Sequence, residues 1–394
     1  MTRAPEIDTA DGVVRPVTEP GRRDALLPPP HVQNHAANLA VLPDGELACV
    51  WFAGTQEGVP DISVWFSRLR AGVWSRPVQL SDDPTRSEQN PILHVADSGE
   101  LWLLWTSQHA GNQDTARVLR RISTDGGHTW GPPHVLLPET AEGGLFVRQP
   151  PVVLPGGRLL LPIFHCVRVP GRRWVGDRDY SGVMLSDDAG KTWREVVVPE
   201  STGCVHMNIG RRSDGTLVAL YRSRWADWIY RSTSVDDGET WSPPVPTELP
   251  NNNSSIQFVM LPDDRMALVF NDSSSADAIA RRTSLYDEID DDGLVDGPVA
   301  QSAPPSGDTR TAFWGAPRAP MTLALSSDAG LTWPVRRNIE TGDGYCLSNN
   351  SRDGINREFS YPTIVATGHA LHIAFTRFRQ AIEYVEVTAE WTGT

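Results

Sequence analysis

Six short stretches of the chain set hydrogen-bonding side chains just ahead of an apolar run: Asn34, His35 and Asn38; Gln89 and Asn90; Arg148 and Gln149; His206 and Asn208; Asn253, Ser254 and Gln257; and Tyr361. Imidazoles move protons near neutral pH, and a phenol reacts as nucleophile or acid once a neighbour takes or stores its proton. Guanidiniums hold anions through paired N–H groups. Arg222 and Arg224 in YRSR, Arg318, and Arg377 and Arg379 near the C-terminus enlarge the anion-binding set, while Glu57 and Asp61 offer carboxylates for acid/base work. Such a set suits a small polar molecule, and Trp51, Trp105 and Trp225 would rim a pocket for it with aromatic faces. Each residue also has a plainer reading. The polar ring bonds to itself, the histidines are satisfied structural groups, Glu57 and Asp61 cap a loop, and Arg377 and Arg379 lie at the surface.

Two interleaved repeats say which elements must position these residues. An octapeptide, S-x-D-x-G-x-x-W, recurs at Ser123–Trp130, Ser186–Trp193, Ser234–Trp241 and Ser326–Trp333, with a degenerate copy at Ser67–Trp74 where Leu69 replaces the Asp. It reads as a hairpin turn: Ser and Asp bond local N–H groups, Gly takes a positive φ, and Trp packs beneath. A second unit, strand, D-G-like turn and strand, occurs six times, from AVLPDGELACV to IVATGHALHIA. Together they make four-stranded units of roughly 50 residues, the period of a propeller blade. The expected fold is all-β, a six-bladed β-propeller in one domain over residues 30–394. Its blades are expected near 30–82, 85–138, 145–199, 203–249, 253–340 and 357–394, with an insertion at about 272–317. Residues 1–29 form a separate segment whose stretch GVVRPV, residues 12–17, is expected to close the ring against the last blade. Because the first strand of each blade lines the axis, the six polar stretches converge there.

Composition narrows the partners. The 394 residues carry a formal charge of −14, which repels nucleic acid and anionic membranes at long range. A small-molecule or oligosaccharide substrate is expected, with no nucleic-acid or membrane partner. An anionic substrate stays open, since clustered arginines outweigh the global field locally. Met1–Pro20 contains no apolar stretch, so a cytoplasmic location is expected. Cys49, Cys166, Cys204 and Cys346 show no C-x-x-C spacing, and His94, His109 and His165 no ligand spacing, so neither a disulfide framework, a metal nor a cofactor is expected.

Octapeptide turns in this register, with D-G turns between inner strands, resemble the Asp boxes of the sialidase superfamily, particularly its BNR-repeat members. The stretches 34–68 and 357–387 resemble that group's opening and closing blades. The resemblance implies an arginine triad on a substrate carboxylate, a Tyr nucleophile assisted by a Glu, and an Asp acid/base. Tyr361, in SYPTI, falls at the nucleophile's place. Arg318 resembles the third triad arginine, and Arg222 or Arg224 the second. Where the family has Arg-Ile-Pro this chain has His35-Ala36-Ala37, and His206 stands where the assisting Glu is expected. Asp61, or equally Glu57, matches the acid/base loop. The implied activity is exo-acting cleavage of a glycoside of an acidic or neutral sugar. A lyase or isomerase using His and Tyr on a uronate-type acid is the alternative, and a non-catalytic carbohydrate-binding propeller a third.

Overall fold

The structure, a computed structural model, describes residues 9–282, 284–290, 293–294, 310–349 and 351–393. Parts of the expected insertion and of the N-terminal segment therefore lie outside the described residues. Six four- or five-stranded antiparallel sheets follow one another along the chain, with a small two-stranded sheet in the insertion, and the architecture is a six-bladed β-propeller. The inner strands are Gln33–Val41, Ser87–Val95, Gly143–Phe146 with Val152–Val153, Cys204–Arg211, Gln257–Met260 and Phe359–Thr367.

Packing explains why the repeat was visible. Each neighbouring pair of blades shares its own apolar cluster. Val50, Phe66, Leu93 and Leu103 join blades one and two, and Leu160, Leu185, Ile209 and Leu217 join three and four. Every blade must therefore present two apolar faces. Trp51 and Trp105, expected at the pocket rim, lie instead in this packing, 0% and 1% exposed. Their second-strand positions point them between blades, where Trp51 Nε1 donates to Asn34 Oδ1 (3.0 Å) and Trp105 Nε1 to Glu88 Oε1 (2.7 Å). Trp225 is partly exposed on the loop after the second strand of blade four.

The ring closes differently from the expectation. Arg22–Leu26, not residues 12–17, pairs with Ala381–Thr388 as the outer strand of blade six. Arg15–Pro16 only extends that edge, while Val13 bridges to Val73 of blade one.

All four intact Asp boxes sit at the turn between the third and fourth strands. In the copy at Ser186, the Ser hydroxyl donates to Asp188 (2.8 Å) and accepts from Gly190 N–H (2.8 Å), and Asp188 accepts from both groups of Thr192 (2.6 and 2.9 Å). Gly190 has φ 78°, and a Cβ there would stand 2.4 Å from Trp102. Strand alternation puts these turns and the D-G turns on one face of the disc. The other face carries the starts of the inner strands and the loops joining second to third strands, including the insertion of blade five.

Candidate functional site

On that second face, four inner strands break their ladder at the same place. The register shifts between His35 and Asn38, Gln89 and Ile92, Val205 and Asn208, and Ser360 and Thr363. The residue at each bulge has a positive φ: Ala36 (60°), Asn90 (49°), His206 (54°) and Tyr361 (53°). Asn253 (57°) adopts the same conformation ahead of the inner strand of blade five. Non-glycine residues avoid this region, and a bulge re-aims a side chain. His206 and Tyr361 thus occupy equivalent positions, whereas His35 is one residue out of phase and the equivalent in blade one is Ala36.

Tyr361 is the centre of the cluster. Its ring lies 4.3 Å from that of His35 and 5.6 Å from that of His206, centroid to centroid. The guanidiniums of Arg148, Arg222 and Arg318 stand 5.4, 5.6 and 5.7 Å from its centroid. Arg222 Nη1 donates to the phenol oxygen at 2.6 Å and approaches His206 Nε2 at 3.4 Å. The phenol is therefore bonded by an arginine, which stands between it and the imidazole of His206. Since arginine only donates, His206 Nε2 accepts and its proton sits on Nδ1. Arg222 Nε donates to Asn253 Oδ1 (2.8 Å).

A second set of charges completes the site. Glu358 Oε1 accepts from both Arg318 Nη1 (3.1 Å) and Arg379 Nε (3.0 Å), and Arg379 Nη1 also pairs with Glu57. Burial alone would raise the Glu358 carboxyl, but Arg318 and Arg379 overcome it and hold it down at about 2. Burial pushes both imidazoles well below their ordinary value; Arg379 and Arg318 add to this at His35, Arg222 and Arg224 at His206. Both are neutral bases at physiological pH. Burial lowers Arg148 and Arg222 to about 10. Four guanidiniums thus share the site with the carboxylates Glu57 and Glu358, leaving two buried positive charges without a counter-ion among the described residues. Among the described residues, Arg222 Nη2, Arg148 Nη1, His35 Nε2 and His206 Nδ1 have no hydrogen-bond partner. Desolvated polar atoms left this way are costly, and an anionic ligand relieves both charge and valence.

The other residues singled out from sequence lie as follows. Arg224 is spent on Asp179 (2.7 Å) beneath Trp174 and Trp314. Arg148 Nη2 donates to the carbonyls of Ala37, Tyr361 and Pro362, tying blade three to blades one and six. Asn38 and Asn208 accept from Leu93 N–H and Phe258 N–H of the next blade, and Gln257 from Ile364 N–H. Gln149 donates to the Ile256 carbonyl and accepts from Gln257. These four close the ring across blade junctions; for Asn38 and Asn208 the bond follows directly on the bulge of the same strand. Asn34 bonds His31, Gln380 and Trp51, and thereby seats the Arg379 hairpin. Gln89 bonds Ser87, and Asn90 is the buried bulge residue of blade two. Asp61 is exposed and accepts from Thr55 N–H (3.2 Å), so it shapes its loop at the rim. Arg377 lies away from Tyr361, paired with Glu383 and Glu340, whereas its neighbour Arg379 enters the site.

Glu358 escaped the sequence reading. Its signal was a carboxylate beside the apolar Phe359 at the start of an inner strand, where a charge survives only if paired. Among the described residues, metal-type ligand atoms converge at Asp24, Glu340 and Glu383, all within 4.8 Å of one another, and Arg22 and Arg377 already pair with them. His94 packs on Trp102, His109 on Arg86 and His165 on Glu195, each at a separate place.

No curated protein matches the chain in sequence. Among solved structures, a Hadza microbial sialidase, Hz136, superposes with a TM-score of 0.66 at 14% identity, covering 91% of this chain and 66% of the sialidase. A protein of unknown function from Dyadobacter fermentans gives 0.66 at 16% identity over 94% of this chain and 99% of its own. The leech intramolecular trans-sialidase, complexed with 2,7-anhydro-Neu5Ac, gives 0.63 at 14% over 100% and 71%. At such identities the likeness is one of fold, and this chain spans just under two thirds of the first of these. The BNR repeat-like domain family matches residues 45–373, most of the chain, and the protein belongs to that family.

Proposed function

We propose that the protein is a sialidase-like enzyme that removes an acidic sugar from the end of a glycoside. The observation that supports this reading is the pair of uncompensated positive charges around the Tyr361 phenol. A substrate carboxylate between Arg222 and Arg318 would offset one of these two charges through charge-assisted bonds and set the anomeric carbon beside the phenol oxygen. In this reading Tyr361 attacks that carbon, and Arg222 stabilises the charge developing on the phenol oxygen. His35, neutral and with Nε2 unpartnered, takes the phenol proton. Asp61, at the rim, protonates the departing oxygen, and water then releases the sugar from Tyr361. The structural relatives that are sialidases by name make sialosides the first substrates to try.

A second reading is favoured by one observation: both bases beside the phenol are neutral imidazoles. His35 or His206 would then abstract the C5 proton beside the carboxylate of a uronate while Tyr361 protonates the sugar oxygen departing from C4, giving elimination with a new C4–C5 double bond. The test is a panel of fluorogenic sialosides and uronides together with uronate oligosaccharides linked through C4. Hydrolysis releases the fluorophore without new ultraviolet absorbance, elimination leaves an absorbing unsaturated sugar, and binding without turnover of any acid defeats both. Arg318→Ala should raise KM strongly, by roughly 2–5 kcal/mol of lost charged contact.

A further inference from the structure

We infer that the insertion of blade five roofs the axial site and limits it to substrates with a small leaving group, with Tyr286 setting that limit. The inference rests on the glycoside-cleaving reading above and adds to it the size of what is cleaved. The described residues 284–290 of the insertion stand against blade two, on the opposite side of the ring from blade five. There the Tyr286 hydroxyl accepts from Gln108 Nε2 (3.1 Å) and Gln113 Nε2 (2.9 Å), both of blade two. A Cβ on Gly58 of blade one would stand 2.7 Å from the Tyr286 ring, and one on Gly111 of blade two 3.1 Å from Ile289, so only bare backbone admits the strap. The turn carrying Tyr286 is braced by its own bonds: Ser284 Oγ accepts from Tyr286 N–H (3.0 Å), and Arg282 and Asn349 both donate to the Leu285 carbonyl (2.8 Å each).

The returning limb covers the rest. Trp314 Nε1 donates to the Val175 carbonyl of blade three (3.1 Å), and Phe313 N–H to the Arg224 carbonyl of blade four (2.7 Å). The rings of Tyr286 and Trp314 lie 6.3 and 6.0 Å from Trp174, and Trp314 stands 5.7 Å from the Arg222 guanidinium. Tyr286, Ile289 and Trp314 share one apolar cluster with Ala36 and Tyr361, drawn from every blade around the axis. Beneath them Tyr361 is 4%, His206 3% and Arg222 1% exposed. A monosaccharide with a small aglycone is admitted by local displacement of the strap, whereas a sugar chain leaving over the rim needs the Tyr286 latch undone for the whole catalytic cycle. An open cleft would have left these side chains in contact with water.

The test compares one acidic sugar in two settings, as a small aryl glycoside and as the terminal residue of a glycoprotein. Wild type should favour the aryl glycoside in kcat/KM by roughly 100-fold, the upper end of what pocket shape alone discriminates. Tyr286→Ala should shrink that ratio by about 10-fold or more. Tyr286→Phe, which keeps the ring and drops both hydrogen bonds, should shrink it less, and it carries the test if the alanine variant does not fold. Similar wild-type rates on both substrates, or an unchanged ratio in a folded Tyr286 variant, overturn the roof alone. Inactivity on both removes the glycosidase reading and the inference with it.

Discussion

The two faces of the propeller are built on opposite terms. On the Asp-box face the same eight-residue pattern solves the same turn four times, and Asp125, Asp188, Asp236 and Asp328 each accept a 2.6 Å bond from the Thr hydroxyl four positions on. On the site face no two blades agree: the bulge residues are Ala36, Asn90, His206 and Tyr361, all with positive φ, and around them lie unpartnered buried atoms and unbalanced charge. Positive φ occurs on both faces, at Ala189, Asp237 and Ala329 in the Asp boxes as well, but only the site face varies from blade to blade and gathers buried charge in excess of its described counter-ions, which marks it as the face selected for function. The same frame carries both, so stability and activity should respond to substitution on different faces.

The largest effect expected from this contrast is at Glu358. It is the shared counter-ion of Arg318 and Arg379, wholly buried, and its removal leaves two adjacent guanidiniums facing each other. Glu358→Gln should cost about 3–5 kcal/mol of stability, the usual consequence of breaking a buried pair. A chemical-denaturation midpoint close to wild type would show that the site face tolerates charge in a way the comparison does not allow. Next comes Arg222→Met. It should lower kcat/KM by about 100-fold or more, since the arginine touches the reacting phenol. Yet it should leave the melting temperature unchanged or higher, because it deletes a buried charge that has no counter-ion. Activity lost together with stability would collapse the distinction between the faces.

How much of this was legible from the residues differs in the same way between the faces. Four octapeptides and six D-G units made the propeller visible, because the turn chemistry is local and repeats with each blade. Tyr361, His35, His206, Glu57, Arg222 and Arg318 were also found, since they stand at strand starts or matched a known pattern. What failed was anything depending on which way a strand turns after its bulge. Asn38 and Asn208 lie two residues beyond the bulge residues Ala36 and His206, Gln257 lies in an inner strand with no register shift, and all three bond the next blade. A shift of this kind reverses facing without altering composition. Tyr286 and Trp314 escaped for another reason: the insertion has no repeat partner against which to align it.

A pH titration sharpens the contrast at intermediate scale. His35 and His206 have folded-state values well below the ordinary 6.5, so the unfolded chain binds protons that the folded chain refuses. Their contribution to stability is complete above about pH 6.5 and declines as pH falls below it. Glu358, held at about 2 against an ordinary 4.5, adds a further loss as pH falls from the ordinary carboxylate range toward 2. Melting temperature should therefore drop steadily on acidification below pH 6.5, and His206→Gln should flatten the upper part of that slope. The kcat/KM profile should show no inflection at the ordinary imidazole pKa, because neither ring titrates there. A slope unchanged in the variant would remove the neutral, desolvated imidazole from the account.

The smallest effect belongs to the Asp-box face and tests its independence. In blade three the Ser186 hydroxyl, 2% exposed, is the acceptor for the buried Gly190 N–H and also donates to Asp188. Ser186→Ala strands that N–H beneath the turn, and the expected cost is about 1 kcal/mol, the net value of one such bond. In a chain of this size that corresponds to about 1–2 °C in melting temperature. Blade one supplies the internal control. There Leu69 replaces the Asp, and the Ser67 hydroxyl donates to the Ser75 carbonyl (2.7 Å) instead of capping a turn glycine. Ser67→Ala leaves a carbonyl with a second lone pair free to find water, which is cheaper than an orphaned donor. The Ser186 variant should therefore melt below the Ser67 variant, and both should retain wild-type kcat/KM. Equal melting temperatures would mean that the octapeptide contributes through its Trp and Gly packing alone, and a fall in kcat/KM would mean that the repeating face reaches the irregular one through the blade.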